Sequence, residues 1–332
     1  MIRTFSSKDY NWTFDTVTGL FNRWGDTIKD NPQYSEFGPE ILDIEVSTIC
    51  HQGCKFCYKN NTSIGKNMSF KIFKTILDKV RGNLTQVAFG IGDLYANPDL
   101  LSMMWYCRNN NIIPNITING LNINSESDKQ SAIQLAQICG AVSISNYNKN
   151  TCYNTVKMLT DVGLKQVNIH QLLSVETYNS CFYLSSDAGS LKDERLKKLN
   201  AIVFLSVKQK GRGIKYTPIG QEDFNYLIYD LFAEKVKFGF DSCTAHKFLN
   251  YIKDKPEYDK LKQYVEPCES GLFSLYINVD GFAYPCSFSE NNTGLDVVNC
   301  NDFIKDIWNS AALILWRNLL LACKRNCPIY NI

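Results

Sequence analysis

Three cysteines, Cys50, Cys54 and Cys57, sit close together in Cys50-His51-Gln52-Gly53-Cys54-Lys55-Phe56-Cys57. A loop this short, with Gly53 inside it, can wrap three sulfurs around one corner of a small inorganic centre. Structural zinc needs four protein ligands, and only three thiols are here. His51 is a poor fourth, because it adjoins Cys50 and would strain the chelate. Three thiolates on a cubane [4Fe–4S] cluster leave one iron open for another ligand. Three reduced structural thiols are the plain alternative.

A second group of cysteines lies near the other end. Cys268 precedes the alternating segment Leu275-Tyr276-Ile277-Asn278-Val279-Asp280-Gly281-Phe282-Ala283-Tyr284-Pro285-Cys286. Asp-Gly between apolar runs predicts a β-hairpin, which would deliver Cys286 beside Cys268. Tetrahedral zinc is the competing occupant of this site. Cys107, Cys139, Cys152 and Cys181 are scattered and read as ordinary buried thiols.

These loops need a scaffold. With 332 residues, the chain can bury one large core or a core plus a satellite. Hydrophobic content of 45% and charged content of 20% are those of a soluble globular protein. A net charge of +2 gives no sign of a nucleic-acid footprint. The first residues lack the apolar core of a signal peptide, and no stretch reaches membrane-spanning length. Thirteen cysteines in such a chain point to reduced thiols and metal sites, hence to the cytoplasm.

Residues 1–40 read as an N-terminal extension with a hairpin around Thr18-Gly19, covering one end of the core. From Ile41 onward, strands and helices alternate. Strands are expected at 41–46, 86–89, 115–119, 141–145, 166–172 and 201–207. Helices are expected at 70–81 (capped by Ser69), 98–108, 127–138, 153–162 and 192–198. Such βα units predict a parallel sheet covered by helices, and fit a barrel or a doubly wound sheet equally well. Past Gly211-Arg212-Gly213 the rhythm changes. The remainder contains a helix over 223–237, a polar helical stretch, the hairpin and a Leu-rich terminal helix.

Cys50, Cys54 and Cys57, with Phe56 before the last, resemble the C-x3-C-x2-C signature of radical S-adenosylmethionine (radical SAM) enzymes. The resemblance implies an open (β/α)6 TIM-like barrel over 41–215, and a [4Fe–4S] cluster on those three cysteines. Its open iron would bind S-adenosylmethionine, and an electron from an external donor such as a flavodoxin or ferredoxin would start radical chemistry. Phe56 would wall the adenine site. Phe89-Gly90-Ile91-Gly92-Asp93 looks like the family's Gly-Gly-Glu-Pro segment, with Ile91, Asp93 and Leu94 departing from it. It implies Gly90, Gly92 and Asp93 at the cofactor's methionyl end, with the backbone of Gly92 passing close by.

Asn119-Gly120 ends the third strand, as in many family members. Ser143 and Ser145 share one face of the fourth strand, inside a barrel otherwise expected to hold aliphatic residues. Their hydroxyls would meet the ribose or bond to neighbouring backbone. His170 would face substrate or be a satisfied core histidine.

Cys268-Glu269-Ser270-Gly271 and the Asp280-to-Cys286 segment resemble SPASM and twitch domains, which bind auxiliary [4Fe–4S] clusters. The resemblance implies a small α+β unit over 216–332 with one cluster on Cys243, Cys268, Cys286 and Cys327. Cys323 is the substitute, and Cys300 a bystander. Such relatives mostly modify peptides or proteins, so a peptide substrate is expected first and a small molecule such as a nucleotide second. The departures at strand two keep a non-catalytic, metal-bound protein as a reading of another class.

Overall fold

The computed structural model describes residues 1–27, 30–290 and 293–330. The chain opens with a three-stranded antiparallel sheet, β1 (Ile2–Ser6), β2 (Asn11–Asp15) and β3 (Phe21–Trp24). The expected hairpin is β2–β3. Gly19 makes its turn possible, with a φ of 76° that side chains disfavour. β1 is an addition to the sequence reading. Trp12 and Phe14 are buried beneath this sheet, and the Trp12 indole donates to Asn83 Oδ1 at 2.6 Å. The guanidinium of Arg3 donates to the carbonyls of Leu84 and Asn111, both at 2.9 Å. These contacts cap the end of the main core where the parallel strands begin.

The main body follows as β4 (Ile41–Glu45), α1 (Phe70–Val80), β5 (Gln86–Gly90), α2 (Leu100–Asn109), β6 (Ile113–Ile118) and α3 (Lys129–Ile138). It continues with β7 (Val142–Ser145), α4 (Lys149–Asp161), β8 (Val167–Leu173), α5 (Tyr178–Ala188), β9 (Ala201–Ser206), α6 (Gln221–Ala233) and β10 (Phe238–Phe240). Strands β4 to β10 are parallel and lie side by side in chain order. A doubly wound sheet reverses its order at a switch point, whereas a barrel advances in one direction. The architecture is therefore the open barrel.

Two elements escaped the sequence pattern. The fifth helix lies at Tyr178–Ala188, and only a 3₁₀ turn, Glu194–Leu196, occupies the stretch expected to be helical. Serine, asparagine and aromatics dominate α5, and all are indifferent helix formers. The seventh parallel strand, β10, has three residues, one of them Gly239.

The C-terminal stretch holds α7 (Ala245–Ile252), α8 (Tyr258–Lys262), β11 (Ser274–Ile277), β12 (Phe282–Tyr284), β13 (Leu295–Asp296) and α9 (Ala311–Ala322). The Asp280-Gly281 hairpin forms as expected. Gly281 has φ 85°, and a Cβ on it would stand 2.5 Å from Val298 Cγ2. The hairpin joins the barrel, because β11 pairs in parallel with β4 and places Tyr276 opposite Asp43. One ten-stranded sheet thus runs β10-β9-β8-β7-β6-β5-β4-β11-β12-β13.

The two faces of the barrel strands differ in chemistry. Leu42, Ile44, Val87, Ile116, Val142, Ile144, Val167 and Ile169 are buried in the core shared with the helices. Alternation puts Asp43, Glu45, Thr117, Ser143, Ser145, Asn168 and His170 on the opposite face. The barrel interior is polar where aliphatics were expected; the aliphatic residues of these strands face outward to the helices.

Candidate active site and cluster-binding cysteines

β4 carries the chain into the three-thiol loop. The Cys50 amide donates to Thr62 O at 2.7 Å, and the Cys57 amide to Cys54 O at 3.3 Å, which closes the loop on itself. Cys50, Cys54 and Cys57 are all unpaired and half-buried. The backbone N–H groups of Gln52 and Gly53 point at the Cys50 sulfur. Burial, then the charges of Cys50 and Cys57, pushes the Cys54 thiol up to about 11. To ionise together, three thiols this near one another would need a positively charged centre among them, as a metal cluster provides. Among the described residues, no three His, Cys, Asp or Glu side chains could hold a single metal ion. In a cubane cluster each thiol binds its own iron, so a set spread over several corners suffices.

The ends of β5 and β6 fasten this loop. Asp93 Oδ2 accepts from the His51 amide at 2.8 Å and lies 2.6 Å from His51 Nδ1. Asn119 Nδ2 donates to Asp93 Oδ1 at 2.9 Å and to Gly92 O at 3.0 Å. A Cβ on Gly92 would lie 2.6 Å from Ile49 O and 2.9 Å from Cys50 Sγ. The close approach at Gly92 is thus to the cysteine loop itself. A Cβ on Gly90 would make only ordinary contact with β4, 3.4 Å from Ile44 O.

Phe56 packs against Tyr147 and Tyr216, at 5.3 and 5.6 Å between ring centres. The Tyr147 hydroxyl bonds both to the Cys54 sulfur and to Ser145, bringing Phe56 and Ser145 into one cluster. Ser143 lies two residues deeper on the same strand face, paired with Thr117 and Asn168. Burial lowers the His170 pKa to about 4, so its ring is neutral and presents one donor and one acceptor inside the barrel. Tyr147 was not singled out in the sequence; an aromatic two residues past Ser145 was its only signal.

Arg212, which marks the change of rhythm in the sequence, has a role at the loop that the sequence does not assign. Its Nε donates to Cys54 O at 2.8 Å, its Nη2 to Asn61 O at 3.0 Å, and its amide to Cys57 O at 3.0 Å. Gly211 has φ 58°, and a Cβ there would stand 2.8 Å from Cys57 O. The visible signal was an arginine between two glycines just past a barrel strand.

The second set comes together from four separate elements. Cys243 follows β10, Cys268 precedes β11, Cys286 follows β12, and Cys327 lies beyond α9. Burial first, and then neighbouring charges that include Cys268 and Cys327, pushes the Cys243 thiol far up. Cys268 in turn feels Cys327, and Cys286 feels Cys268. Each sulfur has polar company: Ser270 Oγ lies 3.1 Å from Cys268 Sγ, and the Tyr330 amide donates to Cys327 Sγ at 3.4 Å. N–H groups of Phe288 and Ser289 face Cys286, and the Lys208 ammonium reaches Cys243. Such donors stabilise sulfur carrying negative charge. Cys323 caps α9, and Cys300 lies against Val297 O beside Lys79. Cys107, Cys139, Cys152 and Cys181 are buried, as expected.

No helix among the described residues is long and apolar enough to cross a membrane. Residues 268–328 match the SPASM family, an iron–sulfur cluster-binding domain. No curated protein sequence matches the chain. Among solved structures, the chain is similar to Streptococcus suis SuiB bound to S-adenosylmethionine. That match has 18% identity and a TM-score of 0.64, and covers 85% of this chain and 68% of SuiB. SuiB bound to the precursor peptide SuiA matches with 19% identity and a TM-score of 0.64, covering 83% of this chain and 66% of that one. Residues 268–328 thus carry a SPASM match, and the open barrel, with the three-thiol loop after its first strand, has the fold of SuiB.

Proposed function

We propose that this protein cleaves S-adenosylmethionine reductively and uses the resulting radical to abstract a hydrogen atom from a peptide or protein. The observation that carries this reading is the set of three coupled thiols where β4 opens onto a polar barrel interior. Cys50, Cys54 and Cys57 would hold a [4Fe–4S] cluster, which would supply the electron for reductive cleavage of the sulfonium. The protein's share is placement and protection. Backbone at Gly90 to Asp93 borders the methionyl end, with Asn119 holding Gly92 O and Asp93 in position. Phe56 forms the adenine wall, itself backed by Tyr147 and Tyr216. Ser143 and Ser145 offer hydroxyls to the ribose from the interior face of β7.

Cys243, Cys268, Cys286 and Cys327 hold an auxiliary [4Fe–4S] cluster, supported by the donors around their sulfurs. Electrons come from a flavodoxin or ferredoxin. A peptide substrate is favoured because SuiB, which shares the fold, has been solved with a precursor peptide. The test is anaerobic reconstitution with iron and sulfide, then incubation with S-adenosylmethionine and dithionite. Chromatography should show 5′-deoxyadenosine; its absence from an iron-loaded protein would remove the enzymatic reading.

A further inference from the structure

The segment that follows β9, Lys208-Gln209-Lys210-Gly211-Arg212-Gly213, touches all three loops that carry the candidate ligands on its side of the molecule. Lys208 is buried, pairs with Asp241 and reaches the Cys243 sulfur. Lys210 Nζ donates to the carbonyls of Ser287, Phe288 and Glu290 at 3.3, 3.1 and 3.2 Å, closing around the loop that follows Cys286. Arg212 holds the carbonyls of Cys54, Cys57 and Asn61 through its side chain and its amide. Three cations at alternate positions thus grip one cysteine loop each. Gly211 and Gly213 allow the approach, since a Cβ on Gly213 would sit 3.0 Å from Phe56 O. The loops also meet directly: Tyr58 and Phe288 lie 4.3 Å apart between ring centres, and the Lys208 ammonium lies 4.9 Å from the Phe288 ring.

We infer that Lys208–Gly213 is a strap that sets the three-thiol loop and the Cys286 loop in one fixed register, with Lys210 and Arg212 as positioning residues. The inference deepens the function proposed above and rests on it for the strap's purpose. Carbonyls are the right target for such a device. A cation that binds main-chain oxygen fixes the loop's shape while leaving every sulfur free for iron. The planar fork of the guanidinium holds Cys54 O and Asn61 O at a fixed angle, which the freely rotating ammonium of a lysine would not. If the two loops share one restraint, loosening either arm must loosen both.

The test is iodoacetamide labelling of the iron-free full chain, followed residue by residue by mass spectrometry, with Cys300 as the distant control. In Arg212→Gln and in Lys210→Met, labelling of Cys54, Cys57 and Cys286 should all accelerate, by about tenfold for the loss of charged hydrogen bonds. Cys300 should keep its rate. Arg212→Lys should fall between, restoring the charge but only part of the fork. In the iron-loaded protein, Lys210→Met should also alter the electron paramagnetic resonance signal of the reduced cluster on Cys50, Cys54 and Cys57, although Lys210 donates to none of their carbonyls. Acceleration confined to the loop each residue touches would overturn the strap. So would no acceleration, or one that includes Cys300 in all three variants. Because labelling uses iron-free chain, an empty wild-type site would refute the cluster reading while the strap is still judged.

Discussion

Asp93 and His51 are joined twice: the carboxylate accepts from the His51 amide at 2.8 Å and lies 2.6 Å from its Nδ1. The residue beside the first thiol is thereby tied to the end of the second barrel strand. Through Asn119 the same carboxylate reaches the third strand. One carboxylate thus fastens three strand ends around the cysteine loop.

Asp93→Ala should free His51 and Asn119 together. The His51 ring is mostly exposed, which limits the cost in stability to about 1–2 kcal/mol. Iron retention should suffer more, because the loop loses its tether to β5. Iron analysis after anaerobic gel filtration should show loss from the first site with the second site loaded. A variant that keeps all its iron would show that the tether is dispensable.

Replacing Cys50, Cys54 and Cys57 together by Ala should remove about half the iron of a two-cluster protein and abolish 5′-deoxyadenosine formation. The remaining iron should still give the charge-transfer absorption of a [4Fe–4S] centre, held by Cys243, Cys268, Cys286 and Cys327. Zinc in a colourless triple variant would make the second site structural.

The three-thiol loop, most of the βα rhythm and the Asp280-Gly281 hairpin were legible in the sequence because each depends on residues a few positions apart. What stayed hidden depends on distance along the chain. Arg212 meets Cys54 across 158 positions, and β11 pairs with β4, some 230 residues earlier. No local pattern encodes either contact. The polar interior was hidden for another reason. Alternation divides a strand into two faces, but only the closed order of strands tells which face turns inward. The short β10 and the serine-rich α5 were missed because tertiary packing overrides weak local preference.

Asp43 makes a prediction about pH. Burial first, then the Glu45 carboxylate, pushes its carboxyl up to about 7 against the pull of Lys59. In the unfolded chain the group titrates near its ordinary value of about 3.9. Between those values the folded protein holds a proton that the unfolded chain releases. Asp43 therefore supports the fold at low pH, and that support is lost as pH rises through about 7. Asp43→Asn should flatten this dependence. Urea unfolding at about pH 8 should find the variant more stable by roughly 1–3 kcal/mol, with little difference near pH 4. An equal pH dependence in both proteins would show that Asp43 is ionised throughout.

Gly92 tests the loop from the opposite side. Its place in the segment resembling Gly-Gly-Glu-Pro led to the expectation that its backbone borders the cofactor, so that a side chain there would weaken S-adenosylmethionine binding and spare the iron. The packing adds a nearer neighbour. A single methyl group would stand 2.9 Å from Cys50 Sγ and 2.6 Å from Ile49 O, closer than carbon atoms approach sulfur or oxygen. Cys50 Cβ, nearer still, and Ile49 O are both fixed by the backbone, so the loop itself must shift. Gly92→Ala should therefore lose iron at the three-thiol site and S-adenosylmethionine binding together, while the SPASM cysteines keep theirs. Iron per chain and equilibrium binding of S-adenosylmethionine, measured on the same preparation, separate the cases. Full iron with weakened binding would mean that the cofactor contact dominates, and full iron with full binding would show that the loop absorbs the methyl group.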